Sequence, residues 1–170
     1  ESFSDKENLS RLGNVARGIN KRAGQFPLRV FDWFCGRTKS SASQTTVLVI
    51  GMAFKGDPET NDIRGSNGID IARSLSEQGA RVSVWDAVVT QEQLAHEGFA
   101  YASNLAEAVL RADCIFIMNN HRANANIGIL SPDHKKTLVL LFDGWKMFDR
   151  EVVESIDGLI YSTLGYVTPQ

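Results

Sequence analysis

The sequence predicts an α/β fold, a doubly wound parallel sheet of five to six strands preceded by one or two helices. Two observations carry the expectation. The runs Val47–Ile50, Cys114–Met118 and Leu138–Phe142 are continuously apolar with no polar alternation, as strands covered by helices on both faces must be. Segments with apolar residues at helical spacing lie between them, so strand and helix alternate along the chain.

Taken in order, residues 6–22 read as a helix, with Leu9, Leu12, Val15 and Ile19 on one face and Lys6, Glu7, Arg11, Arg17 and Lys21 on the other. Gly13 and Gly18 weaken it, so packing must hold it. Pro27 suits the first turn of a second helix to Arg37, whose Leu28, Phe31, Trp33 and Phe34 could pair two chains or fold back on the sheet. The polar run Ser40–Thr46 is a linker, and divides a helical segment, residues 1–40, from a sheet domain, residues 41–170. Strand Val47–Ile50 is followed by a helix from Asn67 to Gln78, ended by Gly79, and by strand Arg81–Trp85, ended by Asp86. A helix Gln91–Glu97, a short strand Phe99–Tyr101, and a helix capped by Ser103 or Asn104 lead to the strand Cys114–Met118. A loop broken by Ser131-Pro132 leads to Leu138–Phe142, a short helix Asp149–Ser155, and a last strand Leu159–Ser162.

Composition narrows the partners. A formal net charge of −2 gives no broad attraction to nucleic acid or an anionic membrane, and no apolar run reaches the length of ~20 residues that spans a bilayer. Cys35 and Cys114 are too few for a disulfide framework and have no metal-ligand spacing, so a reducing, cytoplasmic setting is expected, with no metal. No charged-then-apolar leader is present, and a chain opening on Glu1 fits a piece of a longer protein.

The candidate site is the stretch Val47–Ser66. A buried strand empties at Gly51 into a polar loop carrying Lys55, Asp62 and Arg64, and a helix follows, so the loop stands where open α/β sheets bind ligands. The loop lacks the Ser/Thr-rich phosphate cradle of flavodoxin-like domains and the clustered carboxylates of receiver domains. The dinucleotide fingerprint G-x-G-x-x-G is also absent, although Asp86 ends the second strand where such folds carry a ribose-binding acid.

Gly51, Ala53, Phe54, Lys55, Asp62, Arg64 and Ser66 together resemble the signature of the C-terminal domain of the UDP-glucose/GDP-mannose dehydrogenase family, G-x-A-F-K, a polar loop, then D-x-R-x-S and a helix. Further features agree in order: the run Gly79–Asp86, the entry Ala108–Asp113 to the next strand, His121 just past that strand, and the turn Phe142–Gly144. Arg17-Gly18-Ile19-Asn20 resembles the end of the family's long central helix, so the resemblance covers nearly the whole chain.

The resemblance implies a Rossmann-like domain of an NAD-dependent nucleotide-sugar 6-dehydrogenase, which oxidises C6 of an NDP-hexose to the uronate. An N-terminal domain would hold NAD, a central domain would supply the catalytic cysteine and the dimer interface, and this domain would hold the nucleotide sugar. No catalytic residue is expected in this chain, where Cys35 and Cys114 read as packing residues. By resemblance Lys55 contacts substrate near C6. Arg64 faces NAD or, alternatively, pairs with Asp62, which orients it or starts the helix. Phe54 packs under the nucleotide sugar or plugs the sheet end. Trp145 and Lys146 stand where many members carry an arginine that reaches substrate, and the GDPETND loop is longer than is common, as in members acting on N-acetylated hexosamine nucleotides. His121 reads as structural, and Trp85-Asp86 as packing and a turn, with ribose binding as the lesser reading. The competing expectation is a stand-alone nucleotide-binding or assembly module without catalytic activity.

Overall fold

The computed structural model describes residues 14–15, 22–126, 128 and 138–167. The helix expected over residues 6–22, apart from Asn14, Val15 and Arg22, lies outside the described residues, as do Ser131-Pro132 and His134.

Helix α1, Phe26–Thr38, opens with Pro27 in its first turn. Its apolar side folds back on the sheet: Val30, Phe31 and Phe34 are buried, and the Phe26 ring lies 6.2 Å from that of Phe142. Burying each such Phe contributes about 2–3 kcal/mol. Trp33 stays outside, under the Arg37 guanidinium. The polar run after it is no slack tether, because Ser41 and Gln44 cap a single 3-10 turn, Ala42–Gln44, in a reciprocal capping box.

The remaining elements are β1 (Thr46–Ile50), α2 (Asn67–Glu77), β2 (Arg81–Trp85), α3 (Gln91–His96), β3 (Ala100–Tyr101), α4 (Leu105–Arg111), β4 (Cys114–Ile117), β5 (Val139–Asp143), α5 (Arg150–Glu154), β6 (Leu159–Thr163) and β7 (Tyr166–Val167). Among the described residues they form one sheet of order β3-β2-β1-β4-β5-β6-β7, parallel throughout except for β7, which turns back antiparallel on β6. The expected five to six strands are thus exceeded by one. Alternate residues of the same strand enter different cores. Val47 and Val49 face the layer of α1, α2 and α3, while Leu48 and Ile50 face α4 and α5. That division is why the strands read as unbroken apolar runs.

The chain leaves β1 toward β2 on one side and β4 toward β5 on the other, so the carboxyl ends of β1 and β4 flank the switch point of the sheet. Two glycines close it tightly. Gly51 has φ +91°, and a Cβ there would lie 2.6 Å from the Asn119 nitrogen. A Cβ on Gly68 would lie 2.4 Å from the Gly51 carbonyl oxygen, so α2 packs against the strand end as only glycine permits.

Candidate functional site

The loop after β1 is anchored at its start by a buried acid. Asp86, only 4% exposed, accepts the Met52 and Ala53 amides on Oδ2 (2.7 and 2.9 Å) and the Val88 and Val89 amides on Oδ1 (2.8 and 2.9 Å). Asn119 Nδ2 adds a bond at 3.3 Å to Oδ2 and donates to the Ala53 carbonyl at 3.4 Å. Both oxygens of Asp86 are therefore spent on the turn, and ribose hydroxyls find no acceptor there. The Ser66 hydroxyl caps α2 by accepting from the Gly68 amide at 3.1 Å and donates to the Ala53 carbonyl at 3.4 Å, tying loop to helix.

Phe54 does not plug the sheet end: its amide bonds the Asp62 carbonyl at 2.7 Å and its ring is 57% exposed. Lys55, half-buried, has no ion-pair partner among the described residues. Arg64 takes the pairing offered as its alternative, with Nε and a terminal nitrogen bonding the two Asp62 oxygens at 2.9 and 2.7 Å. The Asp62 oxygen also accepts the Arg64 amide, and the side-chain and backbone bonds from Arg64 hold its carboxyl well below the ordinary range, at about 2. The same bonds raise the Arg64 guanidinium above its usual value.

His121 is buried and committed. Its Nδ1 accepts the Ala123 amide at 3.1 Å, so Nε2 carries the proton and donates it to Glu59 at 3.0 Å. Cys35 shares a long contact of 3.6 Å with the Thr45 hydroxyl, and burial pushes its thiol up. Cys114 is buried in β4. Cys35 does not sit where a thiolate would be favoured.

At the switch point a cleft of about 490 Å³ opens between the α2 N-terminus, the residues before α1 and the turn after β5, lined by Gly24, Pro27, Asn67, Met118, Trp145 and Leu164 among others. The turn is built by buried Asp143, which accepts the Trp145 amide at 3.2 Å, the Phe148 amide at 3.0 Å and the Tyr161 hydroxyl at 3.1 Å. Burial, then the Asp143 charge, pushes the Tyr161 phenol far above its usual value. Trp145 is 49% exposed, yet its ring is fixed by a bond of 2.9 Å from Nε1 to the Met118 carbonyl. Lys146, at φ 55°, turns the other way and lines a separate hollow with Phe148, Arg150 and Tyr161. Of the six site residues expected from sequence, Trp145 alone lines the cleft; Phe54, Lys55, Asp62, Arg64 and Lys146 are not among the described residues that line it. No cluster of metal-ligating side chains occurs among the described residues.

The description "UDP-glucose/GDP-mannose dehydrogenase family, UDP binding domain" matches residues 48–150, more than half of the chain. The chain belongs to this family. The UDP-glucose 6-dehydrogenase AglM of Haloferax volcanii is 31% identical over 157 residues, 91% of this chain and 33% of the relative. The UDP-glucose 6-dehydrogenase TuaD of Bacillus subtilis is 27% identical over 127 residues, 74% of this chain and 27% of the relative. The chain thus spans about a quarter to a third of the length of these relatives, which are oxidoreductases. In fold it is similar to the NDP-N-acetyl-D-galactosaminuronic acid dehydrogenase of Methanosarcina mazei (TM-score 0.73, 20% identity, 90% of this chain and 31% of that one). It is also similar to the UDP-D-ManNAc dehydrogenase of Pyrococcus horikoshii (TM-score 0.67, 24% identity, 89% and 32%).

Several residues that hold the loop or line the cleft lie outside the motif Gly51–Ser66. Asn119 and Asn120 stand beside His121, and two amides directly after a buried strand signal polar groups aimed at a loop. Asn67 and Leu164 reach the cleft from distant parts of the chain, and nothing local announces them.

Proposed function

We propose that this chain is the nucleotide-sugar-binding C-terminal part of an NAD-dependent nucleotide-sugar 6-dehydrogenase, with residues 41–170 as the binding domain and residues 1–40 as the end of the central domain. The observation that carries the reading is the switch-point cleft walled by the fixed, half-exposed indole of Trp145. An indole held by its own N–H offers a flat face to a base or sugar without losing freedom on binding, and stacking of this kind is worth about 1–3 kcal/mol. Next to it, Asn67 opens α2, whose first amides and dipole favour a diphosphate.

Lys55, on the loop after β1, supplies positive charge on a flexible stem, suited to a sugar oxygen near C6. Phe54 stands ready to cover the ligand or meet another domain. Trp145 takes the place of the family's substrate-reaching arginine, and Lys146 is given the supporting charge. The residues of this sheet do not fit a dinucleotide of their own: Asp86 is occupied by backbone amides and the strand end is filled by Asn119. NAD therefore belongs mainly to a domain outside this chain, with Arg64, exposed on its Asp62 support, facing it. The full enzyme is a homodimer acting in the cytoplasm, in polysaccharide biosynthesis.

Calorimetric titration with UDP-glucose, UDP-N-acetylglucosamine and GDP-mannose tests this. Binding of at least one is expected, weakened about tenfold or more by Trp145→Ala, with NAD alone binding weakly. Silence from all three in a folded chain overturns the proposal.

A further inference from the structure

We infer that Asn120 is a positioning residue for Lys55, acting through the backbone on the far side of the ligand loop; the inference rests on the proposed role of Lys55. One oxygen, Asn120 Oδ1, accepts the amides of both Gly56 and Asp57, at 2.9 and 3.1 Å. Asp86 Oδ2 does the same for Met52 and Ala53 at 2.7 and 2.9 Å. Two acceptors, from the ends of β4 and β2, each take a consecutive pair of amides and bracket Phe54-Lys55 between them. Inside the bracket the Phe54 amide is held by the Asp62 carbonyl at 2.7 Å. The loop is thus fixed on both sides of Lys55, while the Lys55 side chain has no ion pair among the described residues.

That contrast separates scaffold from function. A loop pinned only for stability would gain equally from any internal ion pair, and the one internal ion pair it has, Asp62–Arg64, lies beyond the bracket. Side-chain acceptors aimed at amide pairs instead fix where the Lys55 Cα sits and so where its ammonium can reach. Asp86 is buried in the core, and its removal disturbs the whole fold. Asn120 is half-buried at the rim, so the clamp can be opened there alone.

The test uses the chain itself with Asn120→Ala, Asn120→Asp, Lys55→Ala and the double variant Asn120→Ala/Lys55→Ala, titrated calorimetrically with UDP-glucose and with UDP. Amide hydrogen exchange at Gly56 and Asp57 is followed alongside. Asn120→Ala is expected to speed exchange at both amides and weaken UDP-glucose binding about tenfold, while Asn120→Asp, which keeps the acceptor, restores both. The double variant should bind no more weakly than Lys55→Ala alone, because the clamp acts only through that lysine. Additive losses, or unchanged exchange in Asn120→Ala, overturn the inference. If the parent chain binds neither UDP nor UDP-glucose, the proposed function falls first, and the exchange rates decide the clamp on their own.

Discussion

Replacing Asp86 with Asn tests how the ligand loop is held, because the substitution keeps shape and removes only charge and two acceptor positions. In the parent chain one carboxylate oxygen faces the Met52 and Ala53 amides together with Asn119 Nδ2, and the other faces the Val88 and Val89 amides. Whichever way the new amide is oriented, its NH₂ confronts at least two N–H donors. The better choice turns it toward Val88 and Val89 and forfeits those two bonds. A hydrogen bond to a charged group contributes about 1.5–3 kcal/mol, so the loss is about 3–6 kcal/mol before weakening of the remaining bonds is counted. Against a total stability of about 5–15 kcal/mol for an ordinary domain, that is a large fraction. Urea unfolding followed by circular dichroism should show it directly as a lowered midpoint, and thermal melts as a fall in melting temperature of about 6–24 °C. A variant within about 1 kcal/mol of the parent refutes the account of Asp86 as the amide anchor. If such a stable variant also lost NAD binding, the ribose-acid reading would stand in its place.

Three further outcomes are expected. The Asp62 carboxyl should titrate near its depressed value of about 2 by NMR, and Arg64→Ala or high salt should return it toward the ordinary carboxylate range. As its folded value is lowered, the stability it lends is present above the unfolded value and is lost as pH falls through about 2. The Tyr161 phenol is raised, so its contribution is full below the unfolded value of about 10 and is lost as pH climbs past it; unfolding free energy should fall above about pH 10, and Tyr161→Phe should flatten that slope. Gly68→Ala, which sets a Cβ 2.4 Å from the Gly51 oxygen, should destabilise by about 1–3 kcal/mol in thermal melts despite the better helix propensity of Ala.

The strands were legible because their burial is two-sided. Val47–Ile50, Cys114–Met118 and Leu138–Phe142 needed no alternation to be recognised, and β1, β4 and β5 begin or end within one residue of them. Strand β7 was not legible, since two residues after the Leu164-Gly165 turn carry too little pattern to distinguish a hairpin from a tail. The helix Pro27–Arg37 was legible as aromatic, but its destination was not, because an apolar face does not state what covers it; packing of Phe26 on Phe142 decides that. The pairing of Arg64 with Asp62 could be foreseen as a choice between neighbours two residues apart. The turn that sends Trp145 to the cleft and Lys146 to another hollow could not, because adjacent side chains diverge there through a left-handed backbone at Lys146.

The missing dinucleotide fingerprint is explained by the same geometry. In that fingerprint the first glycine permits a tight turn, the second admits the pyrophosphate to the backbone, and the third lets the helix pack on the strand. Here Gly51 makes the turn and Gly68 makes the close helix contact, but the long loop from Met52 to Asn67 separates them, so no motif of fixed spacing can find them. The middle function has no residue, because the Asn119 side chain fills the space over Gly51, and the Asp86 oxygens are taken up by backbone amides. A sheet that keeps the first and third jobs and gives up the second retains the frame of a dinucleotide fold without its pocket. On the proposed function, ligand binding then rests on what the insertion carries and what it leaves open. These are a loop clamped on both sides of Lys55 and a cleft two strands over, at Trp145.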